Sequence, residues 1–161
     1  RWNYKHKTLI PPFRFIPYFE ADDSIIKVDN LVLCKVCEML KKWKEKGVSL
    51  FPISVNLSRK HMEQCGLVSH LTQIVDSYRV DRNLIEFELT ETATSEDQNY
   101  MISIIDDLKK EGFRISMDDF GTGYSSFSLM KELTLDTIKI DKSFVDLLAA
   151  DADSRKIRRG L

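Results

Sequence analysis

Four polar residues stand near the carboxyl ends of four segments whose apolar residues alternate: Asn56, Glu88, Asp118 and Lys139. Asp119 extends the carboxylate cluster by one residue. Carboxylate and amide oxygens are hard donors that suit Mg2+ or Mn2+. Carboxylates packed together raise one another's pKa, and a cation among them is the simplest stabilising partner. These residue types therefore point to a divalent metal site. The plainer reading is that Glu88, Asp118 and Asp119 are solvated strand-end charges, that Asn56 bonds nearby backbone, and that Lys139 pairs with Asp136 or Asp141.

Whether the four meet depends on the elements that carry them. Strands are expected over Pro52–Leu57, Ile85–Thr90, Phe113–Asp118 and Thr137–Asp141. Helices are expected over Leu31–Lys46, around Leu67–Tyr78 and over Asn99–Glu111. Further helical pieces are expected around Ser126–Lys131 and from about Ser143 to Leu148. The first helix carries an apolar stripe of Val32, Leu33, Val36, Met39, Leu40 and Trp43, and Gly47 and Gly112 are stop signals. Strands alternating with amphipathic helices imply βα units and a parallel sheet, open or closed.

Side-chain parity chooses between the two. Ile53, Val55 and Leu57 share one face of their strand and Ser54, Asn56 and Ser58 the other, since successive residues point to opposite sides. Ile85, Phe87 and Leu89 oppose Glu86, Glu88 and Thr90, and the later strands split likewise. An open sheet covered by helices on both faces needs both faces apolar, whereas a barrel accommodates a polar interior near its mouth. The fold class expected is α/β, a partial TIM-type (β/α) barrel. Four strands are half of an eight-stranded barrel of about 250 residues, so the 161 residues read as the central portion of one domain.

Composition narrows the field further. With 24 Lys+Arg against 25 Asp+Glu the formal charge is −1, which supplies no global field for a DNA or RNA polymer. No apolar run of about 18 residues is present, and the expected setting is soluble and cytoplasmic. Cys34 and Cys37 fall inside a helical segment without a second pair, so they read as packing thiols rather than a zinc site.

Five runs occur in an order that resembles the EAL domains that hydrolyse cyclic di-GMP. They are Pro12 with Ile16-Pro17, Ser54-Val55-Asn56-Leu57-Ser58, Glu88-Leu89-Thr90-Glu91, Asp118 through Ser126, and Ile138-Lys139-Ile140-Asp141. The resemblance covers nearly the whole chain and implies an EAL-like barrel. It implies that Asn56, Glu88, Asp118 and Asp119 coordinate two Mg2+ or Mn2+ ions. Parity supports Asn56, Glu88 and Asp118 independently, whereas strict alternation turns Asp119 away. Lys139 resembles the lysine beside the attacking water and scissile phosphate, where a cation orients the nucleophile and offsets developing charge. Glu91 resembles a glutamate that braces the loop after Asp119, and Arg1 an arginine that contacts a substrate phosphate.

The implied reaction is in-line attack of water on one phosphodiester of cyclic di-GMP, giving linear pGpG, with two ions roughly 3.5–4 Å apart. The Gly121–Ser126 loop resembles the segment that couples the metal site to a homodimer interface, and sensor or cyclase domains are expected companions. The family's signature glutamate precedes the Arg-Trp pair, and this chain opens at Arg1-Trp2. A further metal-site glutamate and a downstream glutamine belong to later strands. The chain taken alone is therefore expected to be truncated at both ends and inactive. A degenerate domain that binds cyclic di-GMP or a partner without cleaving it, and another metal-dependent barrel of enolase type, stay open as alternatives.

Overall fold

The structure is a computed structural model, and it describes residues 2–5, 8–90, 98–121 and 132–147. Two short strands, β1 (Trp2–Tyr4) and β2 (Thr8–Ile10), form an antiparallel hairpin, followed by α1 (Ile16–Ala21) and α2 (Ile25–Glu45). The rest runs β3 (Ile53–Asn56), α3 (Arg59–Met62), α4 (Leu67–Ser77), β4 (Ile85–Thr90), α5 (Gln98–Lys110), β5 (Arg114–Phe120) and β6 (Thr137–Ile140). Residues 142–147 are again helical. The expected helix around Ser126–Lys131 lies outside the described residues.

Strands β3 to β6 form one parallel sheet whose spatial order follows chain order. A doubly wound sheet reverses its order at a switch point, and no reversal occurs among the described strands. The sheet is one arc of a (β/α) barrel, as its two faces require. Val55, Leu57, Ile85, Phe87, Leu89, Ile115 and Met117 are all buried in a single core with apolar residues of the helices. Helix α2 packs on β3 and α4, α4 on α5, and α5 on β5. The rings of Phe87 and Phe113 lie 5.1 Å apart in the middle of this layer. Each fully buried Leu or Phe contributes about 1.5–3 kcal/mol of transfer free energy, so the oily face holds the sheet and leaves the opposite face free for polar groups.

Two expectations need correction. Helix α2 begins at Ile25 rather than Leu31, and its buried stripe is Ile25, Asp29, Leu33, Cys37 and Leu40. Val32 and Trp43, read as inward, are 41% and 36% exposed. The stripe includes a carboxylate, so counting apolar residues alone shifted both its start and its phase. The thiols behave as packing groups: Cys37 is buried, and burial pushes its pKa up to about 12. Helix α5 ends as foreseen. Gly112 at φ +91° donates to the Lys109 carbonyl at 3.0 Å while Phe113 N donates to Leu108 at 3.1 Å, the paired bonds that a left-handed residue makes possible after a helix.

Among the described residues no helix is long and apolar enough to cross a membrane. The outer residues of β6 are left open, with Ile138 38% and Ile140 57% exposed. The β5–β6 register is secured below the rim by Asp136. Its carboxylate accepts from Lys109 Nζ and from Ile115 N, each at 2.7 Å. Partial burial works to raise the Asp136 pKa, but those hydrogen bonds and the charges of Lys109 and Arg114 outweigh it and leave the value below 3.8.

A depressed folded-state pKa stabilises the fold above the unfolded pKa, and that contribution fades as pH falls through the folded value. Asp136→Asn is therefore expected to lower stability at neutral pH by roughly 1–3 kcal/mol. Urea midpoints of the two proteins should converge as the pH is taken below 3.8. A gap of constant size across that range would refute the assignment.

Candidate functional site

The polar face of the sheet is built by register. Asn56 stands beside Glu88, Glu88 beside Ser116, Ser116 beside Thr137, and Thr90 beside Asp118. One layer lower, Ser54 stands beside Glu86 and Glu86 beside Arg114. All belong to the parity class opposite the oily core. Their closeness comes from the parallel ladder rather than from any local sequence motif.

Lys139 Nζ lies 2.8 Å from Glu88 Oε2, a pair that joins β6 to β4 across the intervening β5. The strand between them carries the fully buried Ser116 at the level of Glu88, and Asp118 two residues further on acts on both charged groups. Glu88 is only 11% exposed and Lys139 is 37% exposed, which places the pair at a boundary between interior and solvent. Burial pushes the Glu88 carboxyl up, a hydrogen bond with Lys139 pulls it down, and the neighbouring Asp118 raises it again, leaving it above the ordinary range. Burial alone would lower the Lys139 pKa, but the bond to Glu88 and the charges of Glu88, Asp118 and Glu86 outweigh it and keep the ammonium firmly protonated.

Asp119 is where the backbone departs from alternation. Met117 pairs with Ile138 and Phe120 with Ile140, so β5 spends one more residue than β6 over this interval. That extra residue is a β-bulge. Two residues, Asp118 and Asp119, therefore stand against the single Lys139. Phe120 returns to the oily side, where it is 5% exposed, although plain alternation would have put it with Asp118. Asp119 takes φ +55°, a left-handed conformation that aspartate tolerates better than most residues. Its carboxyl is pushed up by burial first, then by the charges of Asp118 and Asp141.

Asn56 ends β3 beside Glu88, and the next residue's amide, Leu57 N, donates to the Glu88 carbonyl at 3.0 Å. The plainer alternative, Lys139 paired with Asp136 or Asp141, is not what the structure has: Asp136 holds Lys109, and Asp141 accepts from Ser143 N at 2.7 Å at the start of the last helical piece. Glu91 and Arg1 lie outside the described residues, as do residues 122–126 of the Gly121–Ser126 loop. Gly121 itself has φ +98°, and a Cβ there would sit 2.7 Å from the Phe144 ring.

Sequence reasoning placed Glu86 on the polar face without giving it a role. It is 8% exposed, accepts from Ser54 Oγ at 2.9 Å and Thr137 Oγ1 at 3.3 Å, and lies 3.5 Å from Arg114 Nε. Glu86 thus ties β3, β5 and β6 together beneath the rim. Its position on the same face as Glu88 was the available signal.

The oxygens that the sequence reading assigns to a hard cation are those of Glu88, Asp118, Asp119 and Asn56. Among the described residues no three His, Cys, Asp or Glu side chains form one metal-holding group by themselves. The close nucleus is the Glu88 and Asp118 pair, with Lys139 as its present counter-charge. Carboxyls held above their ordinary pKa by burial and by one another are the groups whose ionisation an added cation would most favour. The donor set fits a divalent ion in kind.

A parallel (β/α) arc with an acidic rim and one lysine defines a class of barrel whose chemistry lies at the strand ends. The EAL domain family model matches residues 1–161, and the chain belongs to that family. It is 32% identical over 157 residues to the bifunctional diguanylate cyclase/cyclic di-GMP phosphodiesterase MucR of Pseudomonas aeruginosa, covering 98% of the chain and 23% of MucR. It is 33% identical over 145 residues to the cyclic di-GMP phosphodiesterase PdeR of Escherichia coli, covering 90% of the chain and 22% of PdeR. The chain thus spans less than a quarter of the length of these relatives.

Among solved structures, the MucR phosphodiesterase in complex with c-di-GMP superposes with a TM-score of 0.85 at 32% identity, over 98% of this chain and 64% of that one. The FimX EAL domain from Pseudomonas aeruginosa shares the fold, with a TM-score of 0.82 at 21% identity over 99% of this chain and 63% of that one.

The bulge yields a direct test. Asn tolerates the left-handed region and a β-branched residue does not. Asp119→Asn is expected to be more stable than Asp119→Val by roughly 1–2 kcal/mol, measured by chemical unfolding. Equal stabilities would mean that position 119 is not held in that conformation.

Proposed function

We propose that this chain is part of a domain that hydrolyses cyclic di-GMP to linear pGpG, with Asn56, Glu88, Asp118 and Asp119 holding divalent ions, Mg2+ or Mn2+, and Lys139 facing the reacting phosphate. The observation that carries the reading is the junction of Glu88, Asp118 and Lys139 at the carboxyl ends of three parallel strands. It is supported by family membership and by likeness to relatives named as phosphodiesterases. Arg1 is assigned to a substrate phosphate, Glu91 to bracing the loop after Asp119, and the Gly121–Ser126 loop to a homodimer contact, all by the motif resemblance.

In this reading a bound cation pair supplies Lewis-acid activation of water and neutralises charge on the phosphodiester. The chain's own groups do the rest. Asp118 lies close enough to Glu88 to raise its pKa, so the two carboxyls act on one another at the rim. The bulge gathers two consecutive carboxylates at one point of the rim. Lys139 keeps its proton and can turn from Glu88 toward a phosphate oxygen, because more than a third of its side chain is open to solvent. Preorganised positive charge of this kind is worth most in a site that already excludes part of the water.

The test is turnover of cyclic di-GMP by the full-length protein in Mn2+, followed as pGpG formation. Lys139→Met is expected to cut kcat by about 10²–10³-fold while leaving the fold intact. EDTA should abolish turnover and added Mn2+ restore it. Substrate binding without any pGpG would assign the domain to recognition instead of catalysis, and neither binding nor turnover would sink both readings.

A further inference from the structure

Asp29 is the one charged residue in the buried stripe of α2, 7% exposed among Ile25, Leu33, Cys37 and Leu40. Burying a carboxylate is costly unless donors surround it. Here the donors come from the turn that follows β3. Asp29 Oδ2 accepts from Ser58 N at 3.0 Å and from Ser58 Oγ at 2.6 Å, and His61 Nδ1 lies 3.4 Å from the same oxygen. His61 is 1% exposed, and its Nδ1 makes no hydrogen bond. The Ser58 hydroxyl also accepts from His61 N at 3.3 Å, capping α3. One oxygen of α2 therefore grips both the main chain and the side chain of Ser58.

Ser58 stands two residues beyond Asn56. Among the described residues β3 is the end strand of its sheet, with a ladder to β4 alone. The end of β3 is held on that side by Leu57 N donating to Glu88 O. The hydrogen bonds from Ser58 to Asp29 tie the same turn to α2 and supply a further point of attachment.

We propose that Asp29 is a positioning residue of the rim site, fixing the β3–α3 turn so that the Asn56 amide stays beside Glu88. This rests on the reading of Asn56 as a metal donor. Partners that orient donors in this way influence metal affinity by about 10–100-fold in metalloproteins generally. Ser58 and His61 belong to the same device, since the hydroxyl passes the anchorage from Asp29 to the first turn of α3.

The test is affinity for Mn2+ alone, measured on the full-length protein by calorimetry and by water-proton relaxation, with folding followed by circular dichroism. Asp29→Asn places an amide against two donors and is expected to weaken Mn2+ binding by about tenfold. Ser58→Ala should weaken it as well, and Ser58→Thr, which keeps the hydroxyl, should restore it. Leu33→Ala perturbs the same face of α2 without touching Ser58 and should leave Mn2+ affinity unchanged. Native affinity in folded Asp29→Asn or Ser58→Ala overturns the proposal, as does an equal loss in Leu33→Ala. If Asp29→Asn fails to fold, the Ser58 pair and Leu33→Ala decide the matter alone. Asn56→Ala separates the two levels: unchanged affinity there removes the metal reading itself, whereas a loss there with none in Ser58→Ala removes only the positioning role.

Discussion

The parallel ladder from β3 to β6 is the constraint on which everything else in this chain depends. Because side chains alternate, four strands in register sort their residues into an oily layer and a polar layer without any further instruction. The oily layer is closed by α2, α4 and α5 and supplies the cohesion. The polar layer then carries groups that would be intolerable in that core. Glu88 and Lys139 meet across an intervening strand although the register sets Glu88 level with Ser116 and Thr137, so the lysine side chain reaches back from two residues further along β6.

The arrangement carries a tension that is informative. Glu88 and Asp119 are both held above the ordinary carboxylate range, the first chiefly by burial, the second by burial and by Asp118 and Asp141. A sheet selected only for stability would not gather like charges at one rim. Lys139 offsets part of the repulsion, and beneath the rim Glu86 is satisfied by Ser54 and Thr137, with Arg114 near. The strain is confined to the strand ends, where a ligand has access.

How much of this was legible in the sequence follows from the period of each signal. Period-two alternation is short and unambiguous, so Ile85–Thr90 was read to the residue and the polar positions 56, 88, 118 and 139 were placed on one face correctly. The bulge at Asp118 and Asp119 was not legible, since nothing in Met-Asp-Asp-Phe marks an extra residue until the partner strand is known. Phe120 was the clue in hindsight: a large apolar residue in the wrong parity class for its strand. The stripe of α2 misled for a complementary reason. Asp29 counts as polar by type and as core by position, and only its hydrogen bonds to Ser58, 29 residues further along the chain, reconcile the two. The opening hairpin escaped because strands of three residues carry too few alternations to register.

Likeness of fold does not by itself carry chemistry. The FimX EAL domain superposes almost as well as the MucR phosphodiesterase while sharing 21% rather than 32% of residues. That is what an alternation-built sheet predicts: the fold asks for apolar residues at every second position, and it leaves the polar positions free to vary. Identity at the oily positions therefore says little about reaction. The weight falls on the polar set, and above all on the bulge, because a bulge costs ladder hydrogen bonds and is not required to close a barrel of plainly alternating strands. Its effect in this chain is to set two consecutive carboxylate residues, Asp118 and Asp119, against the single Lys139 of β6.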